Sequence, residues 1–446
     1  MEVALLLGVM MILLAYGVPI AFSIGISSSV FLMVTQMKPL ILIAQRTVLG
    51  TDSFPLLAIP LFTLGGYLME SSGLSKRLVG CIEKLLGGAP GSVGTVTIVC
   101  CTIFAALTGS GPATVAAIGA IMLPAMLKNG YSKSETGGIL AAAGSLGPVI
   151  PPSICMIVYG STMNVSIPEM FVAAIVPGLL LAASFVAVNL VMNRNKKAAS
   201  AVKYSRKEVM ESFIQAVPVL LLPVIILGGI YTGIFTPTEA AVTCVIYSLV
   251  LGIAYREMKF SDLISAMKKT IVTSGMVMFI MAMSANFGWI LSAAKIPTTV
   301  ANALVPYLGN RFVFTVLLLI LLFIAGCFME VLALVVILAP ILIPIGVQLG
   351  MDPLHLGVTF CIALVMGLIT PPFGMNLFTA AAVCDTTFVE IVKGALPYIC
   401  VALIMISLFA FVPQITLFLP GLMAGGRHGG EKSFKRSNRI ARSSGA

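Results

Sequence analysis

Apolar residues run along most of this chain without alternation, interrupted at intervals by glycine, proline and a few polar residues. Runs such as Pro168 to Asn193, Val217 to Phe235 and Gly275 to Ala294 approach or exceed the roughly 20 residues a helix needs to cross a bilayer core. Shorter runs come in pairs: Ser92 to Ala106 with Ala113 to Leu127, and Phe312 to Ala325 with Val331 to Val347. Two short helices joined by a sharp apolar turn predict a re-entrant hairpin, which enters and leaves by one face. The first tip reads Thr108-Gly109-Ser110-Gly111-Pro112 and the second Gly326-Cys327-Phe328-Met329-Glu330. After each hairpin comes a helix with a break, at Gly147 to Ser153 and at Ile369 to Gly374.

These breakers form a repeat. A shift of 220 residues carries Pro124 onto Pro344, Gly130 onto Gly350, Gly137 onto Gly357, Gly147 onto Gly367, Pro151-Pro152 onto Pro371-Pro372 and Pro177 onto Pro397, with no gap. The pattern predicts an all-α polytopic membrane protein with repeat one over 1–193 (hairpin 91–128, broken helix 133–164) and repeat two over 213–420 (hairpin 311–348, broken helix 353–385). A basic loop, 194–212, separates them, and 421–446 reads as a disordered basic tail. Counting each broken helix as one crossing and each hairpin as none gives five crossings per repeat, an odd number, so the repeats are expected to be inverted. Local signals add detail. Ser132 with Glu135, Thr236-Pro237 with Glu239, and Asp352-Pro353 predict helix starts, and Asp52 or Ser53 should cap the helix Phe54 to Met69. Leu74 to Leu86 and Ile296 to Leu308 read as interfacial arms, and Val3 to Tyr16 as a retained helix, not a signal peptide.

Composition makes lipid the main solvent: 59% of the 446 residues are hydrophobic, 9% are charged and the mean hydropathy is +1.10. The formal charge of +10 gathers in the 194–212 loop and in the tail. It therefore gives no argument for nucleic acid, and it puts the loop in the cytoplasm by the positive-inside rule. Both termini then fall outside, a placement the basic tail opposes. The nine cysteines form no CxxC pair and read as small core residues. With His355 and His428 as the only histidines, and with no Walker A or nucleophile-elbow motif, no enzyme class is indicated. Transport would then draw on an ion gradient or another subunit, with no organic cofactor.

Broken helices leave backbone groups unpaired, and in hydrocarbon these persist only where they line a polar cavity or face a ligand. A hard cation such as Na⁺ takes oxygen ligands. The candidates are Thr108, Gly109, Ser110, Thr114, Gly147 and Pro148 in repeat one, with Gly326, Glu330, Thr370 and Gly374 in repeat two, and Thr379 nearby. For the substrate they are Ser110, Gly111, Pro112, Pro151 and Ser153 with Pro372, Gly374 and Asn376. Half-helix N-termini at Pro112-Ala113 and Phe373-Gly374 would offer positive dipole ends to a carboxylate. Glu330 is an acid at membrane depth, functional by default, with a local cap for Val331 onward as the alternative. Glu239 is explained by capping, Asp385 and Glu390 by solvation at helix ends, and Trp289 as an interface anchor.

Several motifs together resemble the large membrane subunit, the DctM or SiaM type, of tripartite ATP-independent periplasmic (TRAP) transporters. They are Gly17-Val18-Pro19-Ile20-Ala21, Asp52-Ser53-Phe54, Ala58-Ile59-Pro60-Leu61-Phe62, Thr108 to Ala113, Gly147 to Ser153, Thr236 to Ala241 and Thr370 to Gly374. The resemblance implies a bacterial inner-membrane, Na⁺-coupled importer of the ion-transporter fold, with an elevator domain made of the hairpins and broken helices. It also implies two partners, a separate four-helix small membrane subunit (Q type) and a periplasmic substrate-binding protein (P type). The implied cargo is an organic acid: sialic acid, another sugar acid or a C4-dicarboxylate. The resemblance covers the chain from about Gly8 to Phe418 and does not extend into the tail beyond Gly421. A self-sufficient Na⁺/dicarboxylate carrier and an ion channel stay open as alternatives.

Overall fold

A computed structural model describes residues 2–86, 91–194, 204–296, 299, 302 and 310–423. The middle of the basic loop, most of the arm expected at 296–308 and the tail from 424 onward lie outside the described residues. Repeat one comprises α1 (Glu2–Ala15), α2 (Ile20–Thr35), α3 (Ile41–Leu49), α4 (Ala58–Ser71), α5 (Leu74–Leu86), α6 (Ser92–Thr108), α7 (Gly111–Lys128), α8 (Lys133–Gly144), α9 (Ile154–Met163) and α10 (Ile167–Met192). Repeat two comprises α11 (Arg206–Tyr231), α12 (Pro237–Ala254), α13 (Phe260–Ala293), α14 (Arg311–Phe328), α15 (Val331–Gln348), α16 (Pro353–Met366), α17 (Met375–Cys384) and α18 (Phe388–Phe411), followed by a helical stretch over 413–423. Nine described helices are long and apolar enough to cross a membrane.

Helix starts follow local chemistry. Ser132, Ser205 and Thr236 each close a capping box with the glutamate three residues on, and Asp352 Oδ1 accepts from the N–H groups of Leu354 and His355 at 2.9 and 3.0 Å. The Ser205 box starts α11 at Arg206, so the last part of the expected 194–212 loop is already helix. Neither Asp52 nor Ser53 caps by its side chain. The chain instead enters α4 through a 3₁₀ turn, Phe54–Leu57, in which the Ser53 carbonyl accepts from Leu56 N–H at 3.0 Å. Another difference is α13, which begins at Phe260 and runs 34 residues, about 51 Å at 1.5 Å per residue. The sequence pattern starts that span only at Gly275 because Lys268 and Lys269 interrupt the apolar run, yet both are exposed on the helix surface.

Hydrogen bonds sort the helix ends onto two faces. At the C-terminal end of α10, Asn189 Nδ2 donates to the Gly91 carbonyl at 2.9 Å, and Tyr131 Oη donates to the same carbonyl at 3.2 Å. Lys84 Nζ meets Ser212 Oγ. The base of hairpin one (α6–α7), the end of α5 and both flanks of the basic loop therefore share one face. On the other face, Thr238 Oγ1 donates to the Phe54 carbonyl at 3.0 Å, and the start of α10, the α11–α12 turn and residues 417–423 line one cavity. The base of hairpin two (α14–α15) lies there as well: Arg311 shares a cavity with His355 and Pro413, and His355 Nδ1 pairs with Thr416 Oγ1 at 2.7 Å. The hairpins thus enter from opposite faces, as inverted repeats require.

Packing exchanges parts between the repeats. The second arm of each hairpin lies against the post-break half-helix of the other repeat, α7 on α17 and α15 on α9, while the first arms pack on their own pre-break halves, α6 on α8 and α14 on α16. Around this unit, α4 packs on α12 and α13, and α13 packs on α2 and α3.

Candidate functional site

Hairpin one turns at Gly109, which adopts φ +61°, a left-handed conformation that glycine takes without a Cβ penalty. A methyl at Gly109 would also lie 3.0 Å from the Pro152 carbonyl oxygen, so the tip rests on the first break. Gly147 presses on the tip from below: a methyl there would fall 2.8 Å from the Ser110 carbonyl oxygen. Around that oxygen, Thr114 Oγ1 donates to it at 2.8 Å, and Thr108 and Thr114 pair their hydroxyls at 3.0 Å. From repeat two, Asn376 is fully buried against Gly111; its Nδ2 donates to the Ala141 carbonyl at 3.2 Å and its Oδ1 has no partner. The tip of hairpin one, the first break and the N-terminus of α17 meet at one point.

Above this point is a cavity of about 300 Å³. Thr108 to Ala113, Pro148, Ile154 and Cys155 line one side; Thr63, Gly66 and Tyr67 of α4 and Thr273, Met276, Val277 and Ile280 of α13 line the other. Glu330 and Val331 reach it from hairpin two, and among the described residues Glu330 is the only charged side chain of the lining. Its Oε2 also accepts from Ala333 N–H at 3.0 Å, so the cap and the cavity contact coexist in one carboxylate.

Of the sequence-selected residues, Thr108, Gly109, Ser110, Gly111, Pro112, Pro148 and Glu330 line the cavity, whereas Thr114, Gly147 and Asn376 stand directly behind it. Others lie elsewhere. Ser153 is fully buried as the cap of α9, accepting from Met156 N–H and donating to the Pro148 carbonyl, and Pro151 is buried within the same break. Gly326 is stacked on Gly367, and Thr370 Oγ1 is turned back onto the Met366 carbonyl at 2.8 Å. Gly374 is packed on the Leu368 carbonyl, Thr379 bonds the Met375 carbonyl, and Pro372 is exposed beside Phe373. The two breaks therefore differ: residues 145–153 are entirely buried, while Pro371, Pro372 and Phe373 stand exposed. Both Pro-Pro peptide bonds are cis. The residues that sequence reasoning missed are those of α4 and α13; in α4 the Gly65-Gly66 pair beside Tyr67 is the signal that could have found them, whereas Thr273 in α13 has no breaker next to it.

Comparison with known proteins gives the family. A sequence profile of the tripartite ATP-independent periplasmic transporter, DctM component, matches residues 7–415. The chain belongs to this family. The isethionate TRAP transporter permease protein DctMQ of Oleidesulfovibrio alaskensis is 38% identical over 418 residues, 93% of this chain and 66% of that protein. The C4-dicarboxylate TRAP transporter large permease protein DctM of Pseudomonas aeruginosa is 37% identical over 399 residues, 89% of this chain and 93% of that one. The crystal structure of the Alcanivorax borkumensis YdaH transporter superposes with a TM-score of 0.60 at 17% identity, covering 85% of this chain and 88% of that one, which establishes a shared fold. As a TRAP large permease, the chain is a multi-pass membrane protein whose relatives are transporter permeases, not enzymes.

Proposed function

We propose that this TRAP large permease imports a small organic anion across the bacterial inner membrane, coupled to Na⁺. A periplasmic substrate-binding protein hands over the anion, and a small permease completes the membrane part. The reading rests on one observation, the convergence of a hairpin tip and the Glu330 carboxylate on one cavity, with an orphaned Asn376 oxygen directly behind that tip. The residues fit a hard cation: the Ser110 carbonyl and the hydroxyls of Thr108 and Thr114 are clustered oxygens, and Asn376 Oδ1, packed against Gly111, is buried without a partner. The N-terminus of α7 offers the positive end of its dipole to an anion. Relatives named for isethionate, a sulfonate, and for C4-dicarboxylates share an anionic group and little else. That supports an organic anion, including the sugar acids, as the cargo class. The hairpins and broken helices form the moving elevator body, and α4 and α13 belong to the fixed wall.

Reconstituted with both partners, the permease should accumulate a labelled organic acid only under an inward Na⁺ gradient. Uptake that persists without the binding protein would favour a self-sufficient carrier, and unitary currents would favour a channel.

A further inference from the structure

The cavity is chemically lopsided. Among the described residues its only charged lining group is an acid, Glu330, while the cargo proposed above is an anion. A compensating cation stands just outside. Thr273, Met276 and Ile280 form the α13 stripe that lines the cavity, and Lys269 extends that stripe by one turn toward the face of the basic loop. Its Nζ sits 5.4 Å from the ring centroid of Tyr67, a lining residue whose hydroxyl lies 3.2 Å from Thr273 Oγ1. Lys269 is exposed and makes no ion pair with any described carboxylate. A cation–π contact fixes an ammonium without neutralising it, so the charge is both placed and free to meet a ligand.

We propose that Lys269, seated on Tyr67 at the cytoplasmic mouth of the cavity, is a positioning and specificity residue for the anionic cargo. It is carried by the fixed wall, and it meets the carboxylate or sulfonate as the cargo leaves. This rests on the import reading and deepens it.

The test is uptake of labelled succinate, isethionate and sialic acid by the full complex, with binding of the same three compounds measured in nanodiscs. Lys269→Gln should raise KM and the half-saturating concentration about fivefold for whichever anion is carried, leaving the maximal rate unchanged. It should also flatten the dependence of KM on ionic strength, because an exposed charge acts through a screened field. Lys269→Arg should restore both. Tyr67→Leu, which removes the seat and keeps the charge, should fall between. Unchanged KM and salt dependence in a Lys269→Gln protein that still transports would overturn the proposal alone, as would a loss confined to the maximal rate. A wild-type complex that carries none of the three would sink the import reading and this inference with it.

Discussion

At Asn376 a fully buried amide uses its donor and leaves its acceptor idle. An unsatisfied buried polar atom costs about 1–3 kcal/mol, so its presence between two repeats calls for a ligand that claims it. Asn376→Leu, close in volume, should therefore raise the Na⁺ concentration for half-maximal uptake while leaving thermal stability equal or higher; a Na⁺ titration alongside thermal unfolding separates the two effects. Thr114→Val should shift the Na⁺ requirement in the same direction, because it removes the hydroxyl that fixes the Ser110 carbonyl. Ser110→Ala should shift it less. At this scale the sequence is only partly legible. It marks Ser110 as an oxygen donor without choosing between hydroxyl and carbonyl, while the structure ties its carbonyl to the Thr114 hydroxyl, and it gives Glu330 a choice between cap and cavity that the structure does not force. Tyr67, Thr273 and Lys269 acquire meaning only when two helices distant in sequence are brought together.

Among the elements, the contact between the tip of hairpin two and the second broken helix is made by bare backbone. A methyl at Gly367 would lie 2.4 Å from the Gly326 carbonyl carbon. Gly367→Ala should cost about 1–3 kcal/mol by overpacking and displace the tip, lowering both melting temperature and uptake. Gly288→Ala, where nothing lies within 4 Å, is the control and should leave both intact. At the other helix, Ser132→Ala removes the capping box of α8 and should cost about 1 kcal/mol in unfolding experiments without changing the cargo KM. Breaks and caps are written in proline, glycine and short polar side chains, which is why the hairpins and interrupted helices can be read directly. The start of α13 is not written that way: two lysines look like a loop in an apolar chain until their exposure shows them on a continuous helix. The unequal burial of the two breaks is likewise hidden, since the repeated Gly and Pro-Pro positions are the same in both.

For the whole molecule, the sorting of helix ends puts residues 413–423 on the face opposite the basic loop. A reporter inserted near residue 199 should be accessible only from the cytoplasm, and one after Met423 only from outside; the same side for both would refute the inverted arrangement. The exchanged packing has one more consequence. Because α7 is clasped by α17 and α15 by α9, neither repeat buries its own apolar faces alone. The protein is in effect a heterodimer written on a single strand. Cut within 195–203 and produced as two pieces, it should reassemble and carry its cargo, while either piece by itself should be degraded.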